Sequence, residues 1–309
     1  MSTVAIIMTT YNGEKFVGEQ IDSILGSTYQ DFELFIYDDG SKDNTMSILQ
    51  EYEGRYPGKV HAYQNERNMG VTSNFLHALN RTTTDYVMLC DQDDVWKNYK
   101  IAITLKRLRH MEAQLGKDIP LAVFTDAMVV DGELNLRKDS FFCSGHLNPH
   151  KTDLAHLLME NKLIGCTVMV NAALRKILQS NHLPKSARYH DWWLGLIAAS
   201  FGKIGFINDR TLLYRQHGGN VVGDRGFISY VKSRVTSIAK QREALLALEH
   251  QAEEFLHLYE SMLSPENKEI IQRFAFLEQQ NWLKKRAELF RYGYFKTGIL
   301  RNIGLLLLI

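Results

Sequence analysis

The chain contains the stretch Tyr86-Val87-Met88-Leu89-Cys90-Asp91-Gln92-Asp93-Asp94-Val95-Trp96, in which an apolar run is followed by three carboxylates within four positions. The apolar run predicts a buried strand, so the acids at its end should point into one small volume. Their mutual repulsion is unfavourable unless a cation lies among them, and hard divalent cations such as Mg2+ and Mn2+ accept oxygen ligands of this kind. The alternative is an acidic turn in which Asp caps the next helix. This stretch alone leaves both interpretations open.

The N-terminal part of the chain alternates short apolar runs with helical patterns. Strands are predicted at residues 4–8, 32–37, 60–63 and 86–90, and helices at residues 14–25, 44–56 and 71–79. This alternation predicts an α/β fold with a mainly parallel sheet flanked by helices. Ligands of such sheets bind beyond the C-terminal strand ends. Polar segments follow three of these ends, and we expect residues 9–13, 38–41 and 91–94 to line one crevice.

The remaining two thirds of the chain show a mixed pattern and then a helical one. Helices are predicted at residues 101–111 and 189–201, and strands at residues 121–125, 163–170 and 204–207. After Gly226 the strand signals end. Long helices are predicted at residues 228–259 and 265–292, with Pro265 at the first helical position of the second. We therefore predict an α/β domain of residues 1–226 and a C-terminal helical region of residues 227–309.

Composition limits the class of protein. The chain has 309 residues, 45% hydrophobic and 23% charged, with a net charge of +1. These values are typical of a globular protein and give no support to nucleic-acid binding. Cys90, Cys143 and Cys166 show no paired spacing, which argues against a disulfide framework or a zinc site. We see neither a signal-peptide pattern nor an apolar run of about 18 residues, so we expect a cytoplasmic protein without a membrane span.

The end of the chain has a different character. Between residues 284 and 301 six basic residues stand against Glu288 alone, aromatic residues are interleaved with them, and the chain ends in an apolar run at residues 305–309. This pattern is typical of a surface that lies on an anionic membrane leaflet. The alternative is a helix that buries its apolar side within the protein or against a dimer partner. Both readings stay open.

The order of several motifs resembles that of family 2 glycosyltransferases with the GT-A fold. The resemblance extends over residues 3–222. Within this family, the sequence resembles in particular the bacterial rhamnosyltransferases that build rhamnose-rich cell-wall polysaccharides. It is carried by residues 6–13, 20–25, 38–45, 68–70 with Asn74, 91–94, 190–193 and 214–220.

The resemblance implies a Mn2+ or Mg2+ site that binds the diphosphate of a nucleotide sugar. Asp93 and His217 are the expected metal ligands, although His217 in a Gly-rich turn is also a typical surface residue. Asp91 is expected at the ribose or behind the metal ligands. Asp94 is expected to hold the sugar or to cap the following helix. Arg215 is expected either at the diphosphate or in a structural salt bridge.

The resemblance also places a general base at Asp191. This residue begins an apolar helix and is followed by two indoles, a setting that raises the pKa of a carboxyl by desolvation. Without the resemblance, Asp191 would be read as a helix cap. Trp192 and Trp193 are expected to stack on sugars, with at least one of them in the core.

Nucleotide binding is expected from the loops that follow the first strands. Thr9, Tyr11, Asn12 and Asn68 should contact the nucleotide, and Asp39 should accept a hydrogen bond from a pyrimidine N3–H. Asp38 is expected to support its own turn.

The implied activity is metal-dependent transfer of L-rhamnose from dTDP-β-L-rhamnose to a lipid-linked saccharide acceptor, with inversion. The expected setting is the inner face of the cell membrane, with a homodimer as an option. A UDP-hexose or UDP-N-acetylhexosamine transferase is one alternative, and a non-catalytic nucleotide-sugar-binding subunit is another.

Overall fold

The computed structural model describes residues 4–217 and 238–309, and within these ranges nine strands form one mixed sheet. The strands are β1 Val4–Thr10, β2 Phe32–Asp38, β3 Val60–Gln64, β4 Tyr86–Cys90, β5 Val95–Trp96, β6 Leu121–Val130, β7 Leu136–Lys138, β8 Met169–Asn171 and β9 Lys203–Arg215. Their order is β3-β2-β1-β4-β8-β6-β9-β5, and β7 pairs with β6.

The first half of the sheet is parallel, as predicted. β1 pairs with β2 on one side and with β4 on the other, so that Val4 lies between Phe32 and Tyr86. All seven residues of β1 are buried, because helices cover both faces of the sheet. The four predicted strands of this half are confirmed to within two residues. Their C-terminal ends therefore meet at one edge.

The second half of the sheet corrects two predictions. The predicted strand at residues 163–170 is wrong, because Gly165–Thr167 forms a 3-10 turn and only Met169–Asn171 pairs as β8. The strand predicted at residues 204–207 is confirmed but runs on to Arg215. The pairing of β9 with β6 shifts in register between Thr125 and Met128, where the polar residues 208–209 of β9 are left unpaired, and it then resumes. The extended β9 delivers Arg215 to the sheet edge where the acidic segment lies.

Twelve helices are described in the same ranges. They are α1 Val17–Leu25, α2 Thr45–Arg55, α3 Val71–Arg81, α4 Lys100–Leu115, α5 Phe141–Ser144, α6 Leu154–Met159, α7 Ala172–Gln179, α8 His190–Phe201, α9 Ile238–Tyr259, α10 Pro265–Ala275, α11 Trp282–Tyr292 and α12 Ile299–Leu308. The predicted boundary at Gly226 and the predicted helical residues 228–237 lie outside the described residues.

The prediction of one helix over residues 265–292 is wrong. Pro265 does begin α10, with Ser264 as its cap, but the helix ends at Ala275. Asn281 then caps α11 by accepting a hydrogen bond from Lys284 N. The break lets the chain fold back, so that the ring of Tyr294 packs 5.1 Å from that of Phe274. Tertiary packing therefore overrides the continuous helical pattern.

The C-terminal helices rest on the α/β part through an aromatic contact. Phe255 of α9 is fully buried, and its ring lies 5.2 Å from that of Trp193 in α8. Among the described residues, the helices all fall short of the apolar length that a bilayer crossing requires.

Candidate active site

The loops after β1 and β4 are held together by one side-chain amide. Gln92 accepts a hydrogen bond from Tyr11 N at 2.9 Å and donates one to Tyr11 O at 3.2 Å. Gly13 lies so close that a Cβ there would be 2.3 Å from Gln92 Oε1. A side chain at Gly13 would therefore separate the two loops. The loops at residues 9–13 and 91–94 therefore meet, as expected of neighbouring strand ends.

The loops after β1 and β2 are joined through Asn12 and Asp38. Asn12 has a φ of +49° and donates from its backbone N to Ser41 Oγ at 2.8 Å. Its side-chain oxygen accepts from Lys42 N at 2.9 Å. The buried carboxylate of Asp38 accepts from Thr10 Oγ1 and from Ser41 N, both at 2.9 Å. Asp38 thus supports the turn, as expected.

Asp39 organises the loop that contains Asn68. Its carboxylate is 3% exposed and accepts hydrogen bonds from Met69 N at 2.9 Å and Gly70 N at 2.8 Å. Gly70 has a φ of +79°, which favours glycine. The structure gives Asp39 this loop-holding role in addition to the pyrimidine contact expected of it. Asn68 is exposed at the rim.

The acids after β4 cluster around a buried cysteine. Ligand atoms of Asp91, Asp94 and Cys166 all lie within 4.8 Å of one another. Burial, and then the charges of Asp94, Asp93 and Asp191, raise the pKa of Asp91 well above its usual range. Burial and the Asp93 charge raise the pKa of Asp94 to about 7. Acids that resist ionisation in this way are stabilised by a cation.

One ammonium group lies beneath this cluster. Lys100 is fully buried, donates to Cys166 O at 2.5 Å and sits 3.9 Å from the ring centre of Trp96. Burial lowers the pKa of Lys100 to about 8. Sequence reasoning missed Lys100 and Cys166. Nothing local marks Cys166, since it comes 72 positions after Asp94 and meets it only through the sheet.

The two residues expected to bind a metal are in contact. Nε2 of His217 lies 2.7 Å from Oδ2 of Asp93, and the imidazole packs against the Phe16 ring at 4.8 Å. Burial raises the pKa of Asp93, and the hydrogen bond from His217 opposes that rise. The remainder of the Gly-rich segment, residues 218–220, lies outside the described residues.

Arg215 holds the crevice from behind. The whole residue is 2% exposed. Its guanidinium donates to Asp93 O at 2.8 Å, to Gly132 O at 2.6 Å and to the Glu19 carboxylate. Its backbone N donates to Asp94 Oδ1 at 3.1 Å. These contacts favour the structural salt bridge over a diphosphate contact.

Asp191 stands at the start of α8 with 7% exposure. Burial raises its pKa to about 6, and hydrogen bonds from Asn161, Trp192 N and Gly165 N oppose the rise. Its charge also raises the pKa of Asp91, so the two carboxylates act on each other. A Cβ on Gly165 would lie 3.6 Å from Asp191 Oδ2, and the next residue, Cys166, belongs to the acidic cluster, so Asp191 lies near that cluster.

His190, which sequence reasoning left without a role, packs beside Asp191. It is 6% exposed, and its ring is stacked 3.9 Å from that of Phe75. Neither ring nitrogen has a hydrogen-bond partner within the described part of the chain. A Cβ on Gly165 would lie 2.8 Å from His190 Nε2 and 3.6 Å from Asp191 Oδ2. Gly165 thus leaves the space that both side chains need.

Both tryptophans after Asp191 are buried. Trp192 is 7% exposed and donates from Nε1 to Leu157 O at 2.5 Å. Trp193 is 0% exposed and packs against Phe255 and Tyr259. The expectation that at least one of them belongs to the core is confirmed. Trp193 offers no ring face to a sugar in this structure, because helix α9 covers it.

Comparison with known proteins agrees with this geometry. The family model for glycosyl transferase family 2 matches residues 5–175. The dTDP-rhamnosyl transferase RfbG of Shigella flexneri is 27% identical over 229 residues, covering 70% of this chain and 73% of RfbG.

Two solved structures share the fold. S. aureus TarS 1-349 in complex with UDP-GlcNAc has a TM-score of 0.58 at 17% identity, covering 94% of this chain and 79% of that one. The mannosyltransferase PcManGT from Pyrobaculum calidifontis, in complex with GDP-Man and Mn2+, has a TM-score of 0.56 at 17% identity, covering 98% of this chain and 78% of that one. Because the family model spans more than half of the sequence, this chain belongs to glycosyl transferase family 2.

Proposed function

We propose that the protein is an inverting, metal-dependent transferase that moves L-rhamnose from dTDP-β-L-rhamnose to a lipid-linked saccharide in cell-wall polysaccharide synthesis. The observation that carries the proposal is the position of Asp191 beside Gly165, the residue that directly precedes Cys166 of the acidic cluster: a Cβ on Gly165 would lie 3.6 Å from Asp191 Oδ2. Glycosyl transfer requires a base and a site for the leaving group. The buried carboxylate of Asp191, with its raised pKa, would supply the base, and a cation bound by the neighbouring acids would supply the site for the leaving group.

Asp191 acts as the general base in this proposal. Its carboxylate takes the proton of the acceptor hydroxyl while that oxygen bonds to the anomeric carbon of the donor. The bond from that carbon to the diphosphate oxygen breaks, and the electron pair leaves with dTDP. A single displacement inverts the anomeric centre, so a β-L-rhamnosyl donor gives an α-L-rhamnosyl product.

The donor set fits a hard divalent cation. Asp93 and His217 would hold Mn2+ or Mg2+ through oxygen and imidazole nitrogen. Asp91, which clusters with Asp94 and Cys166, would add an oxygen. Burial raises the pKa of the Cys166 thiol well above its usual range, which keeps that soft ligand protonated. When bound, the metal would offset the charge of the departing diphosphate. Asp94 is proposed to hold the sugar. The alternative, that it caps the following helix, is wrong, because α4 begins after Tyr99 without a side-chain cap.

The nucleotide is proposed to bind against the first two loops. Asp39 presents a carboxylate, held by Met69 N and Gly70 N, as the acceptor for N3–H of a pyrimidine. Thr9, Tyr11, Asn12 and Asn68 are proposed to complete the nucleotide contacts, and Tyr11, 43% exposed, is accessible to a base. The choice of rhamnose is supported by the similarity to RfbG, and the alternative of a UDP sugar by the fold shared with TarS.

Donor profiling tests the proposal. The protein is incubated with Mn2+, a lipid-linked acceptor mimic and one donor at a time: dTDP-β-L-rhamnose, UDP-glucose, UDP-N-acetylglucosamine or GDP-mannose. We expect transfer from the dTDP sugar alone, loss of transfer with EDTA, and an α-anomeric signal in the NMR spectrum of the product. Transfer from a UDP sugar would establish the second candidate. No transfer with any donor or metal would favour the non-catalytic subunit.

A further inference from the structure

Exposed apolar side chains are concentrated on the last two helices. Fourteen large hydrophobic side chains are exposed in the described residues, and seven of them belong to α11 and α12. These seven are Trp282, Leu283, Phe290, Ile299, Leu300, Ile303 and Leu307. Such a concentration on a short stretch marks an interaction surface.

On α12 the exposed side chains form a stripe. Ile299, Ile303 and Leu307 follow one another at intervals of four residues and are 79%, 48% and 82% exposed. Leu305 on the other side is buried. Arg301 fixes the helix to the protein by donating to Glu160 Oε1 at 3.0 Å and Gly145 O at 2.8 Å. The helix is thus anchored with its apolar stripe directed to solvent.

Arg286 joins the exposed surfaces of the two helices. Its guanidinium lies 4.1 Å from the ring centre of Trp282 and donates to Leu306 O at 2.5 Å. Trp282 of α11 is therefore close to the end of α12. The seven apolar side chains belong to one region of the surface rather than to two distant ones.

The charges around this region are cationic. Lys284 and Arg291 are exposed on α11. The one acid in residues 282–309 is Glu288, which is 6% exposed. Outside this range, the half-exposed Glu269 of α10 lies 4.0 Å from Arg291 and partly offsets its charge. Apolar side chains edged by lysine and arginine are complementary to anionic lipid headgroups above acyl chains.

We propose that α11 and α12 form a docking surface for an anionic phospholipid bilayer, on which they lie flat without crossing it. A ten-residue helix spans about 15 Å, half of the hydrocarbon thickness. A second copy of the chain fits less well, since a symmetric contact would bring Lys284 and Arg291 towards their own equivalents. The proposal is independent of which sugar the enzyme transfers.

Vesicle sedimentation tests the proposal without any sugar substrate. The full chain is mixed with phosphatidylcholine vesicles with or without phosphatidylglycerol. We expect binding to the anionic vesicles only, weaker by about fivefold for each exposed cation removed, as in Lys284→Gln and Arg291→Gln, and weaker at high salt. The pair Ile303→Asp with Leu307→Asp should lower binding by about tenfold or more.

The matched control is Leu136→Asp, since Leu136 is 55% exposed on β7, outside the surface. It should bind like the unaltered protein. Equal loss in the control, or no binding of the unaltered protein to anionic vesicles at low salt, would overturn the proposal. So would a dimer, seen by analytical ultracentrifugation, that the Ile303→Asp and Leu307→Asp pair dissociates.

Tryptophan fluorescence gives a second readout that needs no destabilising change. Trp282 is 60% exposed, whereas Trp96, Trp192 and Trp193 are 4%, 7% and 0% exposed. A blue shift on adding anionic vesicles therefore reports Trp282 entering the bilayer. We expect the shift in the unaltered protein and its loss in Trp282→Phe, while sedimentation persists. Sedimentation without any shift would place the contact elsewhere and refute the proposal.

Discussion

His217 Nε2 lies 2.7 Å from Asp93 Oδ2, although 124 positions separate the two residues. Strand pairing produces this contact, because β5 follows Asp94 directly and pairs Val95 with Leu213 of β9. The same pairing places Arg215 N against Asp94 Oδ1. Strand β9, the last strand in the sequence, therefore brings the residues of the proposed metal site together.

Replacing either partner of this contact should weaken metal binding. We expect His217→Ala and Asp93→Asn each to lower the affinity for Mn2+ in the presence of dTDP by about 10- to 100-fold. Each change removes one proposed ligand and also the hydrogen bond that orients the other. Isothermal titration calorimetry measures this. His156→Ala is the matched control, because His156 makes a similar contact of 2.7 Å with Asp153, and neither residue belongs to the acidic cluster. Unchanged Mn2+ affinity in both site variants would contradict the assignment.

The rate should depend on pH through Asp191. Because burial raises the pKa of this carboxyl to about 6, the base is protonated below that pH and ionised above it. We expect kcat/KM to rise tenfold per pH unit below about 6 and to level off above it. Asp191→Asn should lower the rate by about 10²- to 10⁴-fold and abolish this limb. A limb that persists in Asp191→Asn would assign it to another group.

Stability should show the opposite trend at the same residue. A raised folded pKa means that the fold favours the neutral carboxyl, so its stabilising contribution is complete below the unfolded pKa. That contribution falls by up to about 3 kcal/mol as the pH rises from about 4 through 6. Asp191→Asn removes this dependence. Urea denaturation at pH 5 and pH 8 should show a smaller loss of stability for the variant than for the unaltered protein.

Gly165→Ala should impair catalysis without removing any functional group. The new Cβ would lie 2.8 Å from His190 Nε2, so the imidazole must shift, and Asp191 is the next residue of the same helix. We expect kcat to fall by about 10-fold or more, since small displacements of a base are costly. Gly54→Ala is the control, because a Cβ at that position has nothing within 4 Å. Equal kcat in both variants would show that the base tolerates the shift.

The first half of the fold was readable from local pattern. β1 and β4 are apolar runs that are buried on both faces, β2 is partly buried on one face, and the polar ends of the three strands had to meet once the sheet was parallel. The acids at residues 91–94 were recognisable for the same reason. Their mutual repulsion was implied by their spacing, whereas the choice between a cation site and a capping turn was not.

The features that the sequence did not reveal depend on distant packing. The apolar run around Gly165 looks like a strand, but its backbone turns to pass beneath the acidic cluster. Residues 265–292 have continuous helical periodicity, yet the chain breaks so that Tyr294 returns to Phe274. Arg215 carried two equal interpretations until the structure supplied its acceptors at Asp93 O and Gly132 O.

Arg215→Met should therefore act on stability before it acts on the donor. The change leaves buried carbonyl oxygens of Asp93 and Gly132 without a donor and frees the half-exposed Glu19 carboxylate. We expect the free energy of unfolding to fall by roughly 2–4 kcal/mol, read from the urea midpoint.

Arg137→Met is the control, because Arg137 pairs with Asp131 at 2.8 Å while 64% of its side chain is exposed. It should cost less than about 1 kcal/mol. An Arg215→Met variant with an unchanged urea midpoint and a raised KM for the donor would instead restore the diphosphate role, because only a substrate contact separates affinity from folding in that way.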